Sequence, residues 1–292
     1  MSPARANARD RTTQIKRVLV GLLVANLVVV GAKYLLGVAS GSLAVLSDAV
    51  HSSVDSVNNV LALAVIVVAA RGPDEDHPYG HNKFETLGAL AIVVFLSISG
   101  FELVKGAVAR LLAGAEPLIF SNLQLAVLVG TLAINSVVAV YEARRGRDLD
   151  SDLLLADAAH TRADVLITMG VIAGVLLSRA GFGYADPVVA LLVAGAIVWI
   201  AYGIVRRSVP VLVDEHALPA DVIRLAAERV NGVHSAYQIR SRGAPHKRFA
   251  EVTIAVDRLA SVEAAHVIAD LVESRLRDEL ELHEVIVHIE PS

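Results

Sequence analysis

The sequence contains no cysteine among its 292 residues. Disulfide bonds, thiolate metal sites and cysteine nucleophiles are therefore excluded, and any bound metal must be held by nitrogen and oxygen ligands. A large excess of positive or negative charge is also lacking, since the formal net charge is only −4. Because the basic residues form no stripe with interleaved aromatic residues, the composition argues against a nucleic-acid-binding protein.

Apolar residues, in contrast, are abundant. They make up 55% of the chain, and the mean hydropathy is +0.58, well above what a soluble domain needs to fill its core. A helix needs about 20 apolar residues to cross a bilayer. The sequence therefore predicts an α-helical membrane protein with a bundle of six transmembrane helices, near residues 17–38, 41–69, 85–112, 121–142, 151–179 and 185–206.

Positive charge is distributed unevenly around the predicted spans. Lysine and arginine occur before the first span, in the second and fourth connections and after the sixth span, whereas the other connections nearly lack them. By the positive-inside rule, both termini are expected in the cytoplasm. Residues 1–15 show no convincing cleavage site and are interpreted as a retained cytoplasmic tail. The predicted transmembrane domain is then 16–207, and 208–292 form a cytoplasmic domain.

The C-terminal part has the composition of a soluble domain from Asp214 onward. Its periodicities predict a helix, two strands, a second helix and a final strand, which is an αββαβ order typical of a small ferredoxin-like α+β domain. A domain of roughly 75 residues buries a modest core, so dimerisation would help to stabilise it. The predicted elements are 218–231, 235–242, 249–256, 262–280 and 284–290.

Two polar motifs interrupt the apolar spans. Residues 48–55 read DAVHSSVD and residues 157–164 read DAAHTRAD, so Asp, His and Asp recur at intervals of three and four. On a helix the three side chains of each motif fall within an arc of about 60°. His51 lies about ten residues into the second span and His160 about nine into the fifth, which places both near the middle of a bilayer.

An ionisable residue at this depth costs roughly 2.5–3.5 kcal/mol to insert and normally has a function. The pairs His51–Asp55 and His160–Asp164 offer two imidazoles and two carboxylates, a tetrahedral set that suits Zn²⁺. Because the second and fifth spans run in opposite directions, the repeat is typical of a secondary transporter with a midplane site. Hydrogen bonding between helices is the alternative, common for one isolated polar residue.

The remaining residues of the motifs, Asp48 and Asp157, are expected to line the entrance of the site or to orient the imidazoles. Imidazole titrates near pH 6.5 and binds metal only in its neutral form, so metal loading expels protons and protonation expels metal. The sequence therefore predicts exchange of a divalent metal ion, with Zn²⁺ favoured, for protons. No organic cofactor is expected.

The six spans, the motifs HSSVD and HTRAD, the loop HPYGHNKFE and the αββαβ tail together resemble the cation diffusion facilitator family of divalent-metal/proton antiporters. The resemblance covers about residues 15–292. It implies that His51, Asp55, His160 and Asp164 form the transport site, with His at the first position associated with zinc preference. It also implies export from the cytoplasm by a homodimer, here expected in a bacterial inner membrane.

The resemblance implies further sites outside the bilayer. Asp74, His77 and His81 match a cytoplasmic metal site of the family, although this stretch can also be interpreted as a solvated polar loop. Lys83 and Asp214 match a charge pair that steadies the dimer in relatives.

The C-terminal domain departs from the family pattern. His266, His288 and Glu290 match ligands of a metal-sensing site. Two strand positions that are His in well-ligated relatives are Tyr237 and Thr253 in this chain. A domain that binds one metal ion and a domain that only dimerises are both open interpretations.

Other functions fit parts of the pattern. An intramembrane metallohydrolase would need a general base of the kind that an HExxH motif supplies, and the sequence lacks that motif. A passive channel would transport metal without dependence on a pH gradient, and a metal-binding partner of another transporter would give no flux alone. Among the ions, Fe²⁺, Mn²⁺, Cd²⁺ and Co²⁺ are alternatives to Zn²⁺.

Overall fold

The computed structural model describes residues 3–41, 43–114 and 122–292. Some side chains near the N-terminus and around the first polar motif, including those of Asp48 and His51, lie outside the described part. The chain divides into two compact units, Met1–Ser208 and Val209–Ser292.

Long helices account for most of the first unit. Five of them contain stretches long and apolar enough to cross a membrane, which confirms the prediction of an α-helical membrane protein. In the second helix the described apolar stretch is the shorter Asp55–Ala69, so a span at this helix, and with it the count of six spans, stays a prediction. The helices are α1 (Pro3–Ser40), α2 (Leu43–Ala69), α3 (Lys83–Ala113), α4 (Asn122–Asp148), α5 (Asp152–Arg179) and α6 (Ala185–Leu212).

The residues predicted to form an N-terminal tail are helical from Pro3 onward, and α1 runs through residue 15 without a break. Ile15 is fully buried. Arg11 donates hydrogen bonds to the carbonyl oxygens of Leu149 (2.7 Å) and Asp150 (3.0 Å). Through Arg11, α1 thus contacts the turn between α4 and α5.

A glycine lets three helices meet at one point. A Cβ at Gly88 of α3 would lie 2.6 Å from Val65 Cγ1 of α2 and 3.1 Å from Leu153 Cδ1 of α5. Real Cβ atoms essentially never come within 3.0 Å of another heavy atom, so the contact with Val65 requires glycine at this position. Through it, α3 holds together the two helices that carry the polar motifs.

The turn between α4 and α5 determines where the second polar motif begins. α4 ends at Asp148 and α5 begins at Asp152, with Asp150 in the left-handed region at φ 46°. The side chain of Ser151 accepts a hydrogen bond from the backbone N–H of Leu154 (3.3 Å) and caps α5. This cap sets the first turn of α5, and with it the direction in which the motif's side chains point.

Large apolar side chains remain on the outer surface of the helices. Val28, Leu35, Leu192 and Trp199 are 66–75% exposed. In water such a surface would be a liability, whereas in lipid it is the normal exterior of a helical bundle.

The second unit contains a three-stranded sheet with two helices. The strands lie in the order β1–β2–β3, where β1 and β2 are antiparallel and β2 and β3 are parallel. A parallel pair needs a crossover connection, which the second helix provides. The predicted αββαβ order is confirmed as α7 (Ala220–Glu228), β1 (Ser235–Ala244), β2 (Lys247–Val256), α8 (Val262–Leu280) and β3 (Glu284–Pro291).

Apolar side chains from both helices and the sheet fill the core of the second unit. Ile223, Ile254, Val272 and Leu276 are fully buried there. The pairing of β1 with β2 shifts register between Tyr237 and Arg240, and Gln238 in this bulge has φ 48°. A bulge of this kind re-aims the side chains that flank it.

Candidate metal centre

Three of the predicted ligands converge between α2 and α5. Nε2 of His160 lies 3.7 Å from Oδ1 of Asp55 and 3.8 Å from Oδ2 of Asp164. Ligand atoms of the three residues all lie within 4.8 Å of one another. Since Asp164 follows His160 by one helical turn while Asp55 comes from the other helix, the site requires both motifs.

The site lies inside the bundle. His160 is 8% exposed, and its Nδ1 is buried without a hydrogen-bond partner. Asp157, one turn earlier on α5, is 5% exposed, and its Oδ2 is likewise buried and unpaired. Asp55, Asp157 and Asp164 all lie within electrostatic range of the imidazole. Several carboxylates buried together are unfavourable unless a cation or protons compensate their charge.

The side chains of His51 and Asp48 lie outside the described residues. The backbone of α2 is helical at both positions, and His51 precedes Asp55 by one turn. Their predicted roles, as a ligand and as an entrance residue, therefore stay predictions.

Asn58 was not predicted from the sequence to lie at this site. Its amide nitrogen Nδ2 lies 3.5 Å from Nε2 of His160. Its spacing could have indicated this position, because a residue three positions after Asp55 lies on the same face of the helix.

Glu142 on α4 was not predicted from the sequence either. Its carboxylate is 2% exposed and accepts a hydrogen bond from the hydroxyl of Thr161 (2.9 Å), the residue after His160. Glu142 lies within electrostatic range of Asp157, Asp164 and Arg162. Its acidic side chain within a predicted span could have indicated a functional role, because ionisable residues in spans usually have one. The contact links α4 to the side of the candidate metal centre.

Two known protein domains match this chain. Residues 19–213 match the cation efflux transmembrane domain, and residues 219–292 match the cytoplasmic domain of cation efflux proteins. The chain belongs to the cation diffusion facilitator family. Members of this family carry divalent metal cations out, so this chain is a metal efflux transporter and not an enzyme.

Similar proteins come from plants and bacteria. Metal tolerance protein C1 of Arabidopsis thaliana is 33% identical over 89% of this chain, which spans 59% of that relative. The manganese efflux system protein MneP of Bacillus subtilis is 26% identical over 97% of this chain and 98% of its own length. The cation-efflux pump FieF of Shewanella oneidensis is 30% identical, with 91% and 90% covered.

A solved C-terminal domain of MamM is 30% identical to this chain. It aligns with 25% of this chain and 91% of its own length at a TM-score of 0.24.

In this transporter a second group of candidate ligands lies in the connection between α2 and α3. Oδ1 and Oδ2 of Asp74 lie 3.2 Å from Nδ1 of His77 and 3.4 Å from Nε2 of His81, respectively. Nδ1 of His81 lies 3.2 Å from the carbonyl oxygen of Gly72, which can only accept a hydrogen bond, so Nδ1–H is the donor there. A hydrogen bond from the backbone N–H of His77 lowers the pKa of Asp74. Among the described residues, this trio and the membrane trio are the groups that could hold a metal ion.

The predicted C-terminal ligands are only partly brought together within one chain. Nε2 of His288 lies 3.7 Å from Oε1 of Glu290, whereas His266 on α8 is exposed and lies 3.9 Å from Asp270. The hydroxyl of Tyr237 donates to Oε2 of Glu290 (2.5 Å), and this hydrogen bond raises the pKa of Tyr237. Tyr237 thus hydrogen-bonds the Glu290 carboxylate, which would be a metal ligand. Metal binding by His266, His288 and Glu290 stays a prediction.

The register of the sheet places Tyr237, Thr253 and His288 side by side on neighbouring strands. Thr253 of β2 pairs with Tyr237 on one side and with His288 on the other. Thr253, where the resemblance implies a His, therefore lies beside His288 but carries no imidazole.

The two residues of the predicted dimer charge pair belong to different units of the chain. Lys83 is the first residue of α3. Asp214 belongs to the second unit, where its carboxylate lies 3.9 Å from a guanidinium nitrogen of Arg242. A pairing of Lys83 with Asp214 stays a prediction.

A buried charge network ties the helices together at the end of the bundle that carries the α4–α5 turn. The guanidinium of Arg11 donates two hydrogen bonds of 3.1 Å to the buried carboxylate of Glu85, which also accepts one from Ser151 (2.5 Å). Nearby, Arg207 of α6 donates to Asp152 of α5 (2.8 Å). The network links α1, α3, α5 and α6 on one side of the metal centre.

Proposed function

We propose that this protein is a secondary transporter that exports divalent metal ions, with Zn²⁺ favoured, from the cytoplasm in exchange for protons. His51, Asp55, His160 and Asp164 hold the ion. One observation carries the proposal, namely that Asp55 of α2 meets His160 and Asp164 of α5 inside the bundle.

Electrostatics explains why this site would bind a cation. Removing ions from water is expensive, and buried carboxylates are tolerated when an opposite charge or a proton compensates them. Asp55 and Asp164 flank an imidazole whose Nε2 faces both carboxylates. A divalent ion among these ligands satisfies all of them at once.

The same ligands couple metal to protons. The imidazole of His160 can coordinate metal only when Nε2 is deprotonated, and imidazole titrates near pH 6.5. A protonated site therefore releases metal and a metal-loaded site releases protons. A protein that exposes the site alternately to the two sides of the membrane converts a proton gradient into metal export.

Six transmembrane spans, cytoplasmic termini and a location in the bacterial cell membrane complete the proposal. The distribution of positive charge supports this orientation. The match of residues 219–292 to a cytoplasmic domain, and the similarity to bacterial efflux proteins, support it as well. We propose that residues 208–292 mediate dimerisation and that Asp74, His77 and His81 form an additional metal site.

The test is metal uptake by proteoliposomes that contain the purified full-length protein. Zn²⁺, Mn²⁺, Fe²⁺ and Cd²⁺ are each supplied with and without an imposed proton gradient. We expect gradient-driven uptake that is lost in His160→Ala and Asp164→Asn. The exposed His216→Ala serves as the matched control and should transport normally.

Each other outcome identifies a rival function. Metal flux that ignores the proton gradient would indicate a channel. Metal binding without flux of any ion would indicate a protein that works with another transporter. Full activity of His160→Ala would refute the assignment of the site.

A further inference from the structure

Asn58 stands beside the metal centre on the same face of α2 as Asp55. Its Nδ2 lies 3.5 Å from Nε2 of His160, nearer than the carboxylate oxygens of Asp55 at 3.7 Å and Asp164 at 3.8 Å. Three side chains that each carry an oxygen donor therefore surround this imidazole nitrogen.

These separations fit ligands that share one ion. Two ligands bound at about 2.0–2.1 Å with tetrahedral angles have donor atoms about 3.3–3.4 Å apart. The amide of Asn58 is already close to that separation from Nε2 of His160. Small movements of the side chains would bring all three groups to ligand distance of a common ion.

The two ends of the Asn58 amide have different surroundings. The NH₂ group faces His160, while Oδ1 is buried without a hydrogen-bond partner. A cation bound to Nε2 of His160 removes the acceptor for that NH₂ group and repels it. A half-turn about the last side-chain bond exchanges the two amide ends, so that the oxygen faces the ion and gains the partner it lacks.

We propose that Oδ1 of Asn58 is a direct ligand of the transported ion and that this residue extends the metals accepted by the site toward Mn²⁺. The described ligands then comprise one imidazole nitrogen and three oxygens. Carboxylate and carbonyl oxygens suit Mn²⁺, whereas imidazole suits Zn²⁺. This inference rests on the proposed transport function.

The test compares initial rates of Mn²⁺ and Zn²⁺ uptake by proteoliposomes that contain the full-length protein or a variant. Asn58→Ala removes the amide oxygen, Asn58→Leu removes it at similar volume, and Asn58→Asp keeps an oxygen donor. Asn59→Ala is the matched control, since Asn59 is the next residue of the helix, is 3% exposed, and its Nδ2 is buried without a hydrogen-bond partner.

We expect Asn58→Ala and Asn58→Leu to lower the Mn²⁺ rate by about tenfold or more, since even the loss of a partner that merely orients a ligand costs that much. The Zn²⁺ rate should fall much less, so the ratio of Zn²⁺ to Mn²⁺ transport rises. Asn58→Asp should retain Mn²⁺ transport, and Asn59→Ala should leave the ratio unchanged.

An equal fall for both ions would mean that Asn58 only orients His160, and it would overturn the proposal. Unchanged rates for both ions in both oxygen-free variants would overturn it as well. Binding of Mn²⁺ alone and of Zn²⁺ alone to the purified protein in detergent gives a second readout. If the wild type binds both ions but transports neither, the transport function fails, while the ratio of the two dissociation constants still decides the role of Asn58.

Discussion

Arg11 offers a strong test of the buried network at one end of the bundle. Its guanidinium donates two hydrogen bonds to Glu85 and one each to the carbonyl oxygens of Leu149 and Asp150. The side chain of Arg11 is 17% exposed and that of Glu85 is 3% exposed, so the pair is largely shielded from water. Arg11→Ala would leave the buried carboxylate with Ser151 as its remaining described donor.

The expected loss of stability follows from this geometry. Removing one partner of a buried ion pair costs about 3–5 kcal/mol. Because Arg11 is partly exposed and Ser151 still donates to Glu85, we expect the lower end, about 3 kcal/mol. At about 2–4 °C per kcal/mol for a unit of this size, the melting temperature should fall by about 6–12 °C.

The assay is thermal unfolding of the purified protein in one detergent at fixed pH. Arg147→Ala is the control, because Arg147 is exposed and near the same turn. In a Glu85→Gln background the Arg11→Ala change should cost only about 1 kcal/mol, since no buried charge is then left unpaired. Equal shifts for Arg11→Ala and Arg147→Ala, or full additivity with Glu85→Gln, would refute the reasoning.

Three further changes test other parts of the structure. Gly88→Val should destabilise the bundle by about 1–3 kcal/mol, because its Cβ would clash with Val65. Gly106→Val should not, because a Cβ there meets open space, and thermal unfolding measures both variants. Thr161→Val should cost about 1–3 kcal/mol by leaving Glu142 without its hydroxyl donor, and equal stability of Thr161→Val and Thr161→Ser would contradict this. Ser261→Ala should cost about 1 kcal/mol by removing the cap of α8, visible as faster hydrogen exchange in its first turn.

The C-terminal domain was predictable from the sequence because its signals are local. Strands expected at 235–242 and 249–256 occur at Ser235–Ala244 and Lys247–Val256. Alternation of apolar residues reports which face of a strand is buried, whatever lies elsewhere in the chain. The first helix of this domain is shorter than expected, Ala220–Glu228 against 218–231, since Pro219 at its N-cap position has an extended ψ of 133° and Arg229 already forms its C-cap.

The neighbours of the metal centre were less predictable. Asn58 and Glu142 are polar residues in apolar helices, and a sequence does not say which of several such residues faces a site. Arg11 likewise was interpreted as part of a tail, yet its side chain reaches Glu85, 74 positions away. Contacts of this range depend on how the helices are rotated and shifted against each other.

The sequence by itself determined the apolar helices, the αββαβ order and the alignment of His160 with Asp164, because helix geometry places residues four apart on one face. Only the tertiary structure decided that Asp55 reaches His160, that Asn58 stands beside them and that Glu142 lies behind Thr161. The physical reason is that contacts between helices follow from packing. The close approach at Gly88 and the cap at Ser151 set the relative position of α2, α3 and α5.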